Sequence, residues 1–431
     1  MKQTLDIWMN GEHVGKWTRS GSEQSFRYVE SYLRDQNARP LFLSLPLGPV
    51  SKEIKGPEVA SFFDNLLPDN ADIRQRIQRR YGLSSSSPFD LLSEIGRDCV
   101  GALQILPEGS IVPDVHVIEG EPLSEKGIEK VLHASSTGSL PGRANDDTLR
   151  ISIAGAQEKT ALLRNNGQWC KPIGATPTTH IFKLPLGEIG ALRVSMRESI
   201  EIEWLCLKIL EAFGLDVAKA DIAVFGAQRV LVVERFDRKL SSDGSWWIRL
   251  PQEDLCQALG IPPEKKYEHE GGPGIVEIMQ FLLSSSEPQR DRKLFLKTQL
   301  LFWLLAAPDG HAKNFSIFIG KQGRYALTPL YDVMSVYPAM GHGARMISQK
   351  QVSIAMAVAG IYEWNKIQKR HWVETARACG AGSMMTEIIT EVLEQLPGVI
   401  DRVSEQLPES FPKELSRSLF EGMQKTALRL E

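Results

Sequence analysis

The sequence predicts an α+β protein with two lobes, and two observations support this prediction. Strand-like segments with a few amphipathic helices make up the chain to about residue 250, and the rest is mainly helical. Mixed elements that segregate along the chain in this way are typical of α+β architectures. The length of 431 residues is also sufficient for two or three domains or lobes.

Composition sets the broad class of the protein. Hydrophobic residues make up 42% and charged residues 24% of the chain, as in ordinary globular proteins. The formal charge of −3 excludes a general basic field, so any contact with nucleic acid needs a local patch. The five cysteines form no Cys-x-x-Cys pair, which argues against a disulfide framework or a structural zinc site. Because the chain has no signal-peptide-like start and no apolar run of about 18 residues, we expect a cytoplasmic protein.

The first hundred residues are expected to form an N-terminal α/β domain. Residues 7–17 predict a β-hairpin around Asn10-Gly11, the dipeptide that supplies the positive φ of a tight turn. The apolar run at 40–45 predicts a further strand. Helical spacing follows at residues 59–67 and 73–81.

A linker is expected at residues 134–148, which are rich in Gly, Ser, Pro and Asp. This places the N-terminal domain at 1–145 and a second domain at 146–431. We expect the strands of the second domain at about 146–250 and its helical lobe at about 251–431.

The second domain is expected to contain one helix among its strands, at residues 198–213 before Gly214. The strands share alternating or continuous apolar patterning, and the last two interrupt the helical lobe. They are expected at 149–153, 160–163, 180–184, 222–225, 229–234, 315–319 and 325–327.

Asp309 and Asn314 are five residues apart in the segment Asp-Gly-His-Ala-Lys-Asn. In protein kinases an Asp-x-x-x-x-Asn loop places the Asp to accept a hydroxyl proton and the Asn to hold Mg²⁺. Asp and Asn are also common helix-capping residues, so this pair alone does not distinguish a kinase loop from a helix cap. Asp332 strengthens the prediction, because it follows an apolar strand and lies where a kinase has its metal-binding Asp. Mg²⁺ prefers such carboxylate and amide oxygens.

Lys183 lies in an apolar strand, where a buried ammonium group needs an anionic partner. Glu203 on the following helix is the candidate partner, and a solvent-facing position of Lys183 remains the alternative. The loop at 154–159 has small residues whose backbone N–H groups can approach phosphate closely, although it is not a Walker A loop.

These residues supply the four requirements of phosphoryl transfer: a base, metal ligands, a cation and backbone amides. A small sheet with one helix, followed by a larger helical mass, is also the layout of the two-lobed protein-kinase-like fold. The sequence therefore predicts an ATP- and Mg²⁺-dependent kinase with Asp309 as its base. A small-molecule or lipid kinase on the same fold remains an alternative, since fold does not fix substrate.

The chain also resembles the HipA toxin family, from its N-terminal hairpin to beyond residue 400. Members of that family are serine/threonine kinases of bacterial toxin–antitoxin pairs, with a phosphoinositide-kinase-like fold. The motifs that carry the resemblance are Ile153-Ala-Gly-Ala-Gln-Glu-Lys-Thr160, Thr178-Thr-His-Ile-Phe-Lys-Leu-Pro185, Val233-Glu-Arg-Phe-Asp-Arg238, Asp309-Gly-His-Ala-Lys-Asn-Phe-Ser316 and Leu330-Tyr-Asp332.

The resemblance implies Asp309 as the base, with Asn314 and Asp332 on Mg²⁺. It further implies that Glu234 and Phe236 meet adenine through their main chain. Pro308 departs from the expected polar residue, which stiffens the approach to Asp309 but removes no functional atom. The full set of implied nucleotide contacts is Ala154, Gly155, Ala156, Gln157, Glu158, Lys159, Lys183, Glu234, Arg235, Phe236, Asp237, His311, Lys313, Asn314, Tyr331 and Asp332.

Ser152 matches the family's autophosphorylated serine. It lies three residues before Gly155, so a phosphate there puts about two negative charges beside the loop expected to hold ATP phosphates. We expect this modification to expel the loop and to switch the enzyme off. A strand serine without a role is the alternative.

The partners that the resemblance implies are a HipB-like DNA-binding antitoxin, operator DNA reached mainly through it, and a protein substrate of the aminoacyl-tRNA synthetase class. Phosphorylation of that substrate would arrest growth and promote persistence, and the complex with the antitoxin would repress its own transcription. A non-catalytic scaffold for antitoxin and DNA is the remaining alternative. A basic cluster could contact DNA phosphates, with Arg377 as the candidate, although most such clusters are solvated helix faces. Its members are Lys366, Lys369, Arg370, His371 and Arg377.

Overall fold

The computed structural model describes residues 2–49, 52–111, 114–137, 157–189 and 193–431. Ser152, the loop residues 154–156 and the predicted strand at 149–153 lie outside these ranges, as does most of the predicted linker. The chain forms two compact units. The first unit comprises Met1–Leu184, Ala223–Glu264 and Ser316–Tyr325, and the second comprises Pro185–Ile222, Lys265–Phe315 and Ala326–Glu431. The predicted domain boundary at residue 145 stays a prediction.

The described residues form strands and helices in both units, and short 3-10 helices lie between residues 263 and 366. Their strands are β1 (Lys2–Met9), β2 (Glu12–Ser20), β3 (Glu23–Tyr28), β4 (Ile54–Lys55), β5 (Leu103–Pro107), β6 (Gly120–Pro122), β7 (Lys159–Asn165), β8 (Gln168–Pro172), β9 (His180–Lys183), β10 (Glu188–Ile189), β11 (Val194–Ser195), β12 (Ala220–Phe225), β13 (Gln228–Glu234), β14 (Arg238–Leu240), β15 (Trp247–Arg249), β16 (Gln252–Asp254), β17 (Ser316–Ile319), β18 (Tyr325–Leu327), β19 (Ser353–Val358) and β20 (Ile361–Glu363). Their helices are α1 (Glu30–Leu33), α2 (Pro57–Asn65), α3 (Ala71–Tyr81), α4 (Pro88–Ile95), α5 (Glu125–Thr137), α6 (Ser199–Ala212), α7 (Leu255–Ala258), α8 (Ile275–Phe281), α9 (Pro288–Leu304), α10 (Lys369–Ala378), α11 (Gly382–Gln406) and α12 (Lys413–Ala427).

The N-terminal part of the first unit is an antiparallel five-stranded sheet in the order β4-β3-β2-β1-β5. Its β1–β2 hairpin turns at Asn10 and Gly11, both with positive φ (48° and 85°), as predicted. Trp17 of β2 is fully buried and stacks on Phe63 of α2, with ring centroids 3.8 Å apart. The predicted helices are confirmed as α2 and α3.

The strand predicted at 40–45 is wrong. This segment is a turn closed by an isolated bridge between Phe42 and Leu45. The Tyr28 hydroxyl replaces a strand partner: it donates to the Leu45 carbonyl at 2.6 Å and accepts from the Leu41 amide at 2.6 Å. The apolar run is therefore buried as a loop, because a side chain satisfies its backbone groups.

The second sheet has six strands in the order β12-β13-β9-β7-β8-β6. Strand β9 pairs antiparallel with β7 and with β13, and Lys183 is opposite Lys159 on one side and Leu231 on the other. Leu132 of α5 packs in a core with Phe182 of β9. The predicted strands at 160–163, 180–184, 222–225 and 229–234 are confirmed.

A cluster of five buried charged side chains lies in the first unit: Asp98, Arg235, Asp237, Arg238 and Arg249. Arg235 is 2.8 Å from Asp237 and 3.3 Å from Asp98, and Arg238 bridges the same two aspartates at 2.9 and 3.0 Å. Arg249 is 3.4 Å from Asp98. The cluster therefore ties the segment after β13 to the segment before β5.

The two acidic members of this cluster are held in their charged form. Burial by itself would raise the pKa of Asp98, but the nearby guanidinium groups outweigh it and hold that pKa below its ordinary value. The pKa of Asp237 is lowered in the same way, against the effect of burial. Glu253 contrasts with both: it is fully buried, one of its oxygens accepts from the Leu43 amide at 3.0 Å, and burial raises its pKa well above the ordinary value.

The second unit is mainly helical, and the predicted bounds of the helical lobe at about 251–431 stay a prediction. Helix α6 confirms the helix expected at 198–213, and Gly214 follows it with a φ of 80°. The indole N–H groups of Trp303 and Trp364 each donate to the other residue's carbonyl, at 3.1 and 2.8 Å. The strand pair predicted at 315–319 and 325–327 is confirmed as β17, which lies in the first unit, and β18, whose last two residues lie in the second. The β19–β20 hairpin of the second unit was not predicted. In the described part of the chain, no helix is long and apolar enough to cross a membrane.

We predict opposite stability effects for two substitutions of buried carboxylates in the first unit. At pH 7.5, Asp98→Asn leaves three guanidinium groups with one carboxylate, and we expect it to lower the free energy of unfolding by about 3–5 kcal/mol. Glu253→Gln removes a group that folding forces into its neutral form, so we expect unchanged or higher stability at this pH.

Urea unfolding at several pH values tests the direction of each predicted stability change. The lowered pKa of Asp98 means that its stabilisation is present above its unfolded pKa of about 3.9 and is lost as the pH falls below it. The raised pKa of Glu253 means that wild type loses stability relative to Glu253→Gln as the pH rises above about 4.3. Equal destabilisation by both substitutions at pH 7.5 would contradict these charge states.

Candidate active site

The loop that carries Asp309 begins where α9 ends, in the second unit. Ala306 has a φ of 46°, the left-handed conformation that usually falls to glycine after a helix. The Ala307 amide donates back to the Phe302 carbonyl at 2.8 Å and closes the helix end. The chain then reaches Asp309, whose side chain is 55% exposed.

The loop from Asp309 to Asn314 is held by its own hydrogen bonds. The His311 amide and the Asn314 side-chain amide both donate to the Asp309 carbonyl, at 2.9 and 2.6 Å. The Asn314 backbone amide donates to the His311 carbonyl at 2.9 Å. Because the side-chain nitrogen of Asn314 is used inside the loop, its oxygen is the atom left to meet a metal ion.

Gly310 is required at its position by close packing. A Cβ atom there would lie 2.5 Å from the ring of Phe302 on α9. The loop is therefore pressed against the helix that leads into it. The sequence carries no signal for this contact between the loop and the helix.

Asp332 is connected to this loop through its neighbour. The Tyr331 hydroxyl donates to the Lys313 carbonyl at 3.0 Å, so the residue before Asp332 is bonded to the residue before Asn314. Asp332 itself has a φ of 59°, a conformation that Asp tolerates better than most residues. The structure thus brings together the two segments that carry the predicted metal ligands.

Strand β18, which precedes Asp332, is fixed by Asp291, a residue that the sequence did not single out. Asp291 of α9 is fully buried, and its carboxylate accepts from the Leu327 amide of β18 at 3.2 Å and from the Ser285 hydroxyl.

Tyr267 is a second residue near Asp309 that the sequence did not single out. Its hydroxyl donates to the Oδ1 atom of Asp309, and its ring meets His311 edge-on with centroids 4.9 Å apart. Nothing in the sequence spacing connects it to Asp309, which lies 42 residues further on.

Lys183 is buried in the first unit, with 6% of its surface exposed, so the solvent-facing alternative is excluded. Glu203 is buried on α6 in the second unit, and its pairing with Lys183 stays a prediction. Of the loop at 154–159, the described residues start at Gln157. The Gln157 side-chain amide donates to the Leu184 carbonyl at 2.5 Å, and Glu158 forms an ion pair with Arg76.

The last residue of β13 and the three residues after it are predicted nucleotide contacts. Glu234 is exposed at the end of the strand, and Phe236 meets Phe318 edge-on with centroids 5.9 Å apart. The side chains of Arg235 and Asp237 belong to the buried charge cluster. These two residues can therefore contact a ligand only through their backbone. All four contacts stay predictions.

The oxygen atoms of Asn314 and Asp332 suit Mg²⁺. In the described ranges, no three His, Cys, Asp or Glu side chains converge as a metal site. Mg²⁺ keeps several waters and is commonly held by only one or two protein oxygens. An Asn–Asp pair therefore fits Mg²⁺ better than an ion that requires four protein ligands.

The basic cluster of α10 is partly used within the protein. Lys366 forms an ion pair with Glu363 at 2.6 Å, and the buried His371 accepts from the Gln368 amide at 3.1 Å. Arg377 is exposed in the last turn of α10. Its contact with DNA stays a prediction.

Comparison with known families decides the identity of the fold. Residues 151–400 match the model of the HipA-like C-terminal domain, and residues 5–106 match the model of the HipA N-terminal domain. The chain belongs to the HipA family.

Two relatives cover nearly all of it. Y4mE of Sinorhizobium fredii is 33% identical over 94% of this chain and 92% of its own. The serine/threonine-protein kinase toxin HipA of Shewanella oneidensis is 26% identical over 94% of this chain and 90% of its own.

A solved structure of the Shewanella oneidensis HipA, HipB and operator DNA complex shares the fold. One of its chains matches with a TM-score of 0.79 at 23% identity, over 99% of this chain and 96% of that one. The predicted α+β, protein-kinase-like fold class is confirmed.

We predict that Gly310→Ala disturbs the Asp309 loop. Overpacking against Phe302 is expected to lower the free energy of unfolding by about 1–3 kcal/mol. Gly398→Ala is the matched control: it lies inside α11, where a Cβ meets only the end of Arg402, and it should be neutral or stabilising by up to about 1 kcal/mol. Chemical denaturation measures both, and equal stability of the two variants would contradict the packing argument.

Proposed function

We propose that this chain is an ATP- and Mg²⁺-dependent serine/threonine-protein kinase and the toxin of a type II toxin–antitoxin pair. The observation that carries the proposal is the hydrogen bond from the Tyr331 hydroxyl to the Lys313 carbonyl. It joins the segments of Asn314 and Asp332 in the same unit as the exposed carboxylate of Asp309. The toxin name of the Shewanella oneidensis relative supports the same function.

In this proposal Asp309 is the base. Its carboxylate accepts the proton of a serine or threonine hydroxyl, the hydroxyl oxygen attacks the γ-phosphorus of ATP, and ADP leaves. Asn314 and Asp332 would hold Mg²⁺, which neutralises the phosphate charge when it is bound. His311, Lys313 and Tyr331 would line the nucleotide side of the loop.

The first unit would supply the remaining nucleotide contacts. The ammonium group of Lys183 would meet the phosphates, with Glu203 as its anionic partner, and backbone amides of residues 154–159 would surround them. The backbones of Glu234 and Phe236 would meet adenine. Because the side chains of Arg235 and Asp237 are held in the buried cluster, we assign them the role of fixing that backbone.

The proposed partners follow from the family. A HipB-like antitoxin would bind this chain, and together they would repress their own operator, with Arg377 as a direct DNA contact. The proposed protein substrate is a translation component of the aminoacyl-tRNA synthetase class, and its phosphorylation would arrest growth and promote persistence. The protein would act in the cytoplasm. The fold match to a HipA chain solved with HipB and operator DNA supports the partner classes.

We predict that Asp309→Asn lowers kcat for phosphate transfer to protein by about 10²–10⁴-fold, because the base is lost. Asp332→Asn should also lower kcat and should raise the Mg²⁺ concentration needed for half-maximal rate. Asp401→Asn, an exposed position on α11, is the matched control and should behave as wild type. Transfer of labelled phosphate to cell-extract proteins measures all three, with small metabolites as competing acceptors. Full activity of Asp309→Asn would refute the proposed base.

A second prediction concerns Ser152. Incubation with ATP should add one phosphate to wild type and should inactivate it, because the new charge repels the phosphates of ATP from the neighbouring loop. Ser152→Ala should stay unmodified and active. Intact mass and residual kinase activity are followed together over time. A Ser152→Ala protein that gains phosphate and loses activity would show that the assignment is wrong.

A further inference from the structure

Asp309 is contacted by two side chains of the second unit that approach the same oxygen. The Tyr267 hydroxyl donates to Oδ1 of Asp309, and Nε2 of His311 is 3.7 Å from that atom. The rings of Tyr267 and His311 meet edge-on, at an interplanar angle of 84°. The three side chains therefore form one contiguous group.

The segment that carries Tyr267 is anchored to the structure on both sides of it. The Ala312 amide donates to the Lys266 carbonyl at 3.3 Å, which ties the residue before Tyr267 to the Asp309 loop. The carboxylate of Glu268 accepts from the Ala357 amide of β19, which ties the residue after it to a strand. The phenol is thus held in place by its neighbours rather than lying loosely on the surface.

These contacts leave the two carboxylate oxygens of Asp309 in different surroundings. Oδ1 is occupied by the phenol and approached by His311. Within the described ranges no hydrogen bond or ion pair involves Oδ2, and the side chain is 55% exposed. A base acts efficiently when a third group orients it toward the proton that it abstracts.

We propose that Tyr267 is a positioning residue for the base: its hydroxyl fixes Oδ1 while its ring packs against His311, so that Oδ2 faces the hydroxyl of the substrate. The inference rests on the proposed function of Asp309. It adds a residue from a different segment of the chain, which acts on the reaction only through the orientation of that carboxylate.

The test compares two substitutions that each remove one phenolic hydroxyl from the full-length chain. Tyr267→Phe keeps the ring against His311 but removes the donor to Asp309, and we expect kcat to fall by about 10–100-fold with the KM for ATP within about twofold of wild type. Tyr362→Phe, on β20 and without contact to Asp309, should leave both constants unchanged. Thermal unfolding checks that both variants are folded.

The outcomes separate this inference from the proposed function. If Asp309→Asn is inactive and Tyr267→Phe has the kcat of wild type, the positioning role is overturned while the kinase stands. A crystal structure of Tyr267→Phe gives a readout that needs no activity: we expect a changed or divided orientation of the Asp309 carboxylate, and an unchanged orientation overturns the inference. Phosphate found on Tyr267 by mass spectrometry would also overturn it, because the phenol would then be an acceptor.

Discussion

Two aspartates and three arginines, buried together in the first unit, constrain the backbone on which the predicted nucleotide contacts depend. Arg235 and Asp237 pair with each other, and Asp98 receives the guanidinium groups of the others. A buried charge without its partner would be strongly destabilising, so all five side chains are locked at once. The chain after β13 is fixed as a result, and with it the backbones of Glu234 and Phe236.

In the second unit, the loop from Asp309 to Asn314 is held in a different way, by close packing against a helix and by hydrogen bonds. Gly310 allows the loop to lie against Phe302, and Asn314 fastens the loop to its own first residue. Tyr331 then attaches the segment of Asp332. The segments of Asn314 and Asp332, the predicted metal ligands, are thus joined through hydrogen bonds to backbone carbonyl groups.

Local patterns predicted the elements that have the clearest turn or periodicity signals. The Asn10-Gly11 turn was recognisable because only a few residues tolerate its positive φ, and α6 was recognisable from apolar spacing that ends at Gly214. The run at 40–45 was assigned wrongly because hydrophobicity reports burial rather than conformation. The hydroxyl of Tyr28, distant in sequence, satisfies that backbone and lets it stay a loop.

The sequence by itself determined the residue types of the candidate site: Asp309 and Asn314 are five residues apart, as in the Asp-x-x-x-x-Asn loop of protein kinases, and Asp332 follows an apolar strand. Only the tertiary structure decided which groups support them. Tyr267 reaches Asp309 across 42 residues, and Asp98 reaches Arg235 across 137. Such contacts depend on how strands and helices pack rather than on local periodicity, and periodicity is the signal that a single sequence carries.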